Sequence, residues 1–194
     1  MSLLRQLHRS GHTCPWWFAY TFDNALRGLV HRPSEILGSL VRRGDTVVDV
    51  GSGLGFFTLA MAEIVGQDGK VISVDVQEQM LKRSRRRAER RGLADRIEFH
   101  QASHKGMGLS APVDFVLAFW MVHEVRDRVG FLAEVRSILR PTGHLLIAEP
   151  KGHVSPTLFA RITDLARDAG FLVKEGREVR FSRSILCVPK SEPA

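Results

Sequence analysis

Residues 46–55 read Thr-Val-Val-Asp-Val-Gly-Ser-Gly-Leu-Gly, a β-branched run that ends in an acid and then places glycine at every second position. Such a run predicts a buried strand. Phe56–Val65, apolar and closed by Gly66, predicts the helix that follows it. Glycine in the intervening turn has three uses. It permits the tight bend, lets a ligand approach the backbone without a Cβ in the way, and packs helix against strand. The free N–H groups at the start of the helix face a ligand anion. A chain that opens in this manner is an α/β protein with a nucleotide-type cradle at the carboxyl end of a strand.

The alternation continues downstream. Val71–Val74 reads as a second strand, Gln77 to Arg91 as a helix stopped by Gly92, and Arg96–His100 as a short third strand. Val113–Phe119 is an almost continuous apolar run, as expected of a strand covered on both faces. Val129, Leu132, Ala133, Val135, Ile138 and Leu139 pattern the next helix; Pro141-Thr142-Gly143 predicts a turn, and His144–Ala148 a fifth strand. Strands joined mostly by helix-length segments form a parallel sheet with helices on both faces. The tail changes character. After a helix near Pro156–Ala169, Phe171–Glu178 and Arg180–Val188 are extended runs with only a short turn between them, which requires an antiparallel pair.

At 194 residues the chain suits a single core. Residues 1–32 stand apart from the pattern, because they hold two of the three tryptophans and the only tyrosine. From Pro33 a helix is signalled, with Ile36, Leu37, Leu40 and Val41 as its apolar face and Arg42-Arg43-Gly44 at its end. The expected division is therefore an aromatic N-terminal segment, 1–32, that could serve as a substrate lid, and one domain, 33–194.

Several function classes are disfavoured. No apolar run approaches the ~20 residues that span a bilayer, and the first residues alternate Arg and His with Leu, so a cytoplasmic location is expected. Cys14 and Cys187 form no CxxC pair, and the eight histidines show no HExxH motif, so no metal is expected. Residues 82–91 carry seven basic side chains and one acidic one, six of the chain's seven net positive charges. On a helix, Met80, Ser84 and Ala88 would face inward and the arginines outward, as a solvated face or a docking surface for a polyanion.

The glycine spacing separates the cofactors. Dinucleotide folds use GxGxxG, whereas this turn is GxGxG, follows Asp49, and precedes a second acid, Asp75, twenty residues past Gly55. With strand four at Val113–Phe119, the stretch Leu139–Pro150 and the reversed terminal hairpin, residues 33–188 resemble the class I S-adenosylmethionine methyltransferases. Together with the segment CPWWFAYTFDN they resemble small prokaryotic methyltransferase-domain proteins.

The resemblance implies a Rossmann-like three-layer α/β sandwich with a seven-stranded, mostly parallel sheet and an antiparallel C-terminal hairpin strand. It implies S-adenosylmethionine as cofactor and S-adenosylhomocysteine as product. The backbone of Gly51, Ser52, Gly53 and Gly55 would hold the methionine part, and Asp49 its ammonium, directly or through water. Asp75 would accept from the ribose hydroxyls, with Val76 and Gln77 beside it, and Phe119 would open onto the site from the end of strand four. Where many members carry an acid for the adenine amine, this chain has Ala102-Ser103, leaving Ser103 to accept that hydrogen bond.

Methyl transfer is a direct displacement at an activated carbon, so the protein chiefly aligns the reactants and excludes water. A base is needed only when the nucleophile arrives protonated. His123 is either a pocket-wall histidine or the group that removes such a proton. Trp16, Trp17, Tyr20, Trp120 and Glu149 are candidates for the acceptor pocket; Glu149 could equally be a capping residue, and the N-terminal aromatics extra core. A small-molecule acceptor is expected, with a monomer or homodimer and no membrane. An RNA or polyanion methyltransferase docked by residues 82–91, and a cofactor-binding module without turnover, remain as alternatives.

Overall fold

The computed structural model describes residues 30–103, 105–110 and 112–191. Cys14, Trp16, Trp17 and Tyr20 lie outside the described residues. Seven strands form one sheet: β1 (Thr46–Val50), β2 (Lys70–Asp75), β3 (Ile97–Gln101), β4 (Val113–Phe119), β5 (Leu139–Pro150), β6 (Phe171–Glu175) and β7 (Ser182–Pro189), in the spatial order β3-β2-β1-β4-β5-β7-β6. The first five are parallel, and β7 runs antiparallel to both β5 and β6. The chain winds outward from β1 to β3, then returns to lay β4 on the other side of β1. That reversal opens a crevice at the carboxyl ends of β1 and β4, the place where open α/β sheets bind ligands.

Five helices cover the sheet: α1 (Pro33–Leu37), α2 (Phe56–Val65), α3 (Glu78–Arg90), α4 (Arg128–Ile138) and α5 (Pro156–Asp168). Alternate strand residues divide between two cores. Val47, Phe115, Leu117 and Leu146 pack with α1, α2 and α3; Val48, Val116, Leu145 and Ile147 pack with α4 and α5. Three layers result. Among the described residues no helix is long and apolar enough to cross a membrane.

Three expectations needed adjustment. The helix from Pro33 ends at Leu37 and gives way to a 3-10 turn at Gly38–Leu40, because Gly38 adopts φ 39°. Ile36, Leu37 and Val41 are nonetheless buried. Pro141–Gly143 is drawn into β5 instead of forming a separate turn, with an irregular register against β4 between Val113 and Phe115. Val129, counted on the apolar face of α4, is 62% exposed, and Phe131 takes the inward position.

The basic run forms α3, and Met80, Leu81, Ser84 and Ala88 are its buried stripe. Several of its cations work within the fold. Arg87 donates to the Leu54 carbonyl at 2.7 Å, and the Arg85 guanidinium lies 4.4 Å over the Phe99 ring. Lys82 pairs with Glu78 at 2.9 Å and Arg91 with Glu63 at 3.8 Å.

Candidate active site

A cavity of about 700 Å³ occupies the crevice. On one side stands the turn after β1, where Gly51, Gly53 and Gly55 all take positive φ (67°, 55° and 82°). Their surroundings differ. A Cβ on Gly51 would come within 2.9 Å of the Met121 Cβ, and one on Gly55 would overlap Ser84 of α3, whereas one on Gly53 would meet nothing within 4 Å. Gly51 and Gly55 thus serve packing, and Gly53 is the residue that leaves open space on the cavity side.

Asp75, at the end of β2, ties this turn in place. Its Oδ2 accepts from the Gly53 N–H at 2.9 Å and its Oδ1 from the Gln77 N–H at 2.8 Å. Burial raises its pKa above the ordinary 3.8, against the opposing pull of backbone hydrogen bonds from Gln77, Gly53 and Val76.

Asp49, 2% exposed, accepts from the Thr58 hydroxyl at 2.5 Å. Ser73 lies 3.4 Å from Thr58 and donates to Ser52 at 2.9 Å. This buried chain of polar groups beneath the glycine turn keeps an acid at the cavity floor that an apolar core would not tolerate. Thr58 and Ser73 were not singled out from the sequence, since each sits inside an element whose pattern is otherwise apolar.

The cavity also takes in Val76, Gln77, Met80, Ala102, Ser103 and Met107. Ser103 is exposed, and its hydroxyl accepts from the Lys105 N–H at 3.1 Å and donates to the Gly106 carbonyl at 3.3 Å, so it is engaged in its own loop. Glu134 of α4 fixes the next residues, accepting from the N–H groups of Met107 and Gly108 at 2.8 and 2.6 Å.

The opposite wall follows β4. Phe119 lines the cavity and packs 4.6 Å from the Phe57 ring; Trp120, at φ 59°, donates its indole N–H to Ser182 Oγ at 2.8 Å. His31 packs edge-on against both, 5.2 and 5.0 Å away, so the end of the N-terminal segment is seated in the domain. Phe181, unremarked in the sequence, is held at φ 61°, 59% exposed, on the cavity rim.

His123 lines the cavity, but Glu149 and Gly55 do not. Glu149 is 0% exposed and lies behind His123, whose Nδ1 is 2.5 Å from Glu149 Oε2. The difference from the expected pocket position has a structural reason: β4 and β5 are in register at Phe119 and Ala148, so the next residue of β5 faces the chain leaving β4. The Gly55 N–H is taken by the Ser52 carbonyl at 3.0 Å.

A model for a methyltransferase domain matches residues 42–178. The chain belongs to the methyltransferase domain family. It falls among the class I S-adenosylmethionine-dependent methyltransferases, and its mixed seven-stranded sheet is shared with solved members. One, a SAM-dependent methyltransferase from Aquifex aeolicus, superposes with a TM-score of 0.80 at 25% identity over 90% of this chain and 98% of that one. A TehB-like SAM-dependent methyltransferase from Corynebacterium glutamicum shares the fold with a TM-score of 0.66 at 14% identity, over 91% of this chain and 94% of that one. The Escherichia coli ubiquinone/menaquinone biosynthesis C-methyltransferase UbiE is 32% identical over 110 residues, 56% of this methyltransferase and 44% of UbiE. The match therefore spans less than half of that relative's length.

The residues present fit the cofactor. A carboxylate at the end of β2 can accept from vicinal hydroxyls, and Val76, Met80, Ala102 and Met107 offer an apolar slot for a flat base. An open Gly53 lets the remainder lie close against the backbone.

Proposed function

We propose that this methyltransferase transfers a methyl group by direct displacement to a small-molecule acceptor held between the cofactor and the β4 wall. The observation that carries this reading is the cavity itself. It is one continuous cleft, open to solvent at its rim, with the glycine turn and Asp75 on one side and Phe119, Trp120 and His123 on the other. In this reading Gly51, Ser52 and Gly53 hold the methionine part and Asp49 its ammonium. Asp75 takes the ribose, with Val76 and Gln77 beside it, and Ala102 and Ser103 border the adenine. When bound, S-adenosylmethionine supplies an electrophilic methyl on a positive sulfur. The chain's own residues align the acceptor and keep water out, which is where catalysis by proximity arises.

UbiE's role, C-methylation in ubiquinone/menaquinone biosynthesis, gives a direction for the acceptor search: quinone-type rings. A polyanion acceptor is less well supported, because Arg87 is bound to the Leu54 carbonyl and Arg85 lies over the Phe99 ring, while Lys82 and Arg91 pair on the surface with Glu78 and Glu63. Release of S-adenosylhomocysteine over a panel of metabolites and RNAs tests the choice. We expect turnover with small hydroxylated compounds. RNA binding that steepens as salt is lowered, and is lost on replacing Arg86 and Arg90, would overturn the small-molecule reading.

A further inference from the structure

Glu149 is a carboxylate with no access to solvent, and both of its oxygens serve one residue. Oε1 accepts from the His123 backbone N–H at 3.2 Å, and Oε2 lies 2.5 Å from His123 Nδ1. From the other side Arg128 donates to the carbonyls of Val122 at 3.0 Å and His123 at 2.5 Å. Residue 123 is thus gripped at its N–H, its carbonyl and its ring. A buried carboxyl is costly to keep, and a ring nitrogen this close to it carries the proton between them. With Nδ1 turned to Glu149, the nitrogen on the far side of the ring is Nε2, which lies 3.9 Å from Glu124 Oε1, and both His123 and Glu124 line the cavity.

We infer that Glu149 is a positioning residue that fixes His123 with Nδ1–H toward itself and Nε2 as the base at the acceptor, and that the acceptor is a phenol- or enol-type hydroxyl compound. This rests on reading the cavity as the methyl-transfer site. A simple phenol has a pKa near ~10 and is mostly protonated at neutral pH, so it needs a base as the methyl arrives. The acceptor's O–H bond breaks and its proton goes to Nε2. The freed electron pair, from oxygen or through conjugation from ring carbon, forms the bond to the methyl carbon. The pair of the broken C–S bond stays on sulfur, and the imidazolium left behind is stabilised by Glu149. A neutral amine has its lone pair available without a base.

The charged groups bearing on His123 are Glu149 from β5, Glu124 from the Val122–Glu124 turn and Arg128 from α4. Burial alone pushes the imidazole down, but the hydrogen bond and charge of Glu149, helped by Glu124 and opposed by Arg128, more than offset it and hold the pKa above the ordinary 6.5.

The test pairs spectroscopy with turnover. In the intact protein, long-range nitrogen-15 NMR should find neutral His123 as the Nδ1–H tautomer, titrating above 6.5. In Glu149→Gln, which keeps the volume and loses the charge, the titration should fall and the tautomer preference should weaken. With catechol and acetylacetone as acceptors, kcat should drop roughly 100- to 1,000-fold in Glu149→Gln, while KM and S-adenosylmethionine affinity change less than about threefold. The wild-type rise of kcat/KM with pH should move toward lower pH in the variant. Carbon-13 NMR of the product separates oxygen from carbon methylation. An Nε2–H tautomer in the wild type, an unchanged kcat in a folded Glu149→Gln, or turnover of aniline and benzylamine but of no hydroxyl compound would overturn the inference alone. Failure to bind S-adenosylmethionine or to release its product with any acceptor would instead overturn the transfer-site reading beneath it.

Discussion

Asp75→Ala weakens S-adenosylmethionine binding by roughly 1–3 kcal/mol, about 5- to 150-fold in Kd, measured by titration calorimetry. Two losses combine. The variant removes the proposed acceptor for the ribose hydroxyls, and it leaves the N–H groups of Gly53 and Gln77 without the carboxylate that holds the turn in shape. Asp75→Asn keeps the volume and one acceptor oxygen, so its loss should be smaller.

The same carboxyl sets a pH signature with two opposite signs. Its pKa in the folded protein is raised by burial, so the fold prefers the protonated form. The stability it contributes is present below the ordinary 3.8 and is lost as pH rises through the raised value. Hydroxyl donors of a ligand prefer the ionised form. Moving from neutral pH down through the raised value should therefore stabilise the free protein at this residue while weakening the ligand. Both trends, taken as the difference between wild type and Asp75→Asn, isolate Asp75 from the other titrating groups. A wild-type affinity that strengthens on acidification relative to the Asn variant would contradict the assignment.

The turn was legible because its information is local. Strand, acid, alternate glycines and helix lie within twenty residues, and the second acid follows at a fixed interval set by one βα unit. The reversed terminal pair was legible for a similar reason: two extended runs too close together to be parallel can pair only as a hairpin. The partnership of His123 and Glu149 was not. It links residues 26 apart through the β4–β5 register, and no spacing rule reports which of two strand ends faces the other's exit. Nor did the pattern distinguish Val129 from Phe131 on α4, because both satisfy a helical apolar period and only the packed sheet selects one. Thr58 and Ser73 illustrate the same limit from the polar side: a small hydroxyl inside an apolar run reads as tolerance, until the fold brings it to Asp49.

Gly55→Ala destabilises the fold by about 2–5 kcal/mol. An L-residue in the left-handed region costs roughly 1–2 kcal/mol, and the new Cβ, about 3.1 Å from the Ser84 Cβ and closer to its hydroxyl, adds an overpacking cost of about 1–3. For a chain of this length the melting temperature should fall by roughly 4–20 °C. Ser84 makes the prediction specific. Its hydroxyl is buried and has no hydrogen-bond partner among the described residues, so Ser84→Ala should be neutral or stabilising by up to about 1 kcal/mol. The double variant should recover about 1 kcal/mol or more relative to the sum of the two, because the hydroxyl in the way of the new methyl is gone while the strained φ remains. Gly53→Ala is the counterpart. It carries the same left-handed cost but meets open space, so its melting temperature should fall by only about 2–8 °C while cofactor affinity is lost. If Gly55→Ala and Ser84→Ala prove additive, the helix contact is not what requires glycine at 55. If Gly53→Ala binds S-adenosylmethionine as the wild type does, the cofactor does not approach the turn at residue 53.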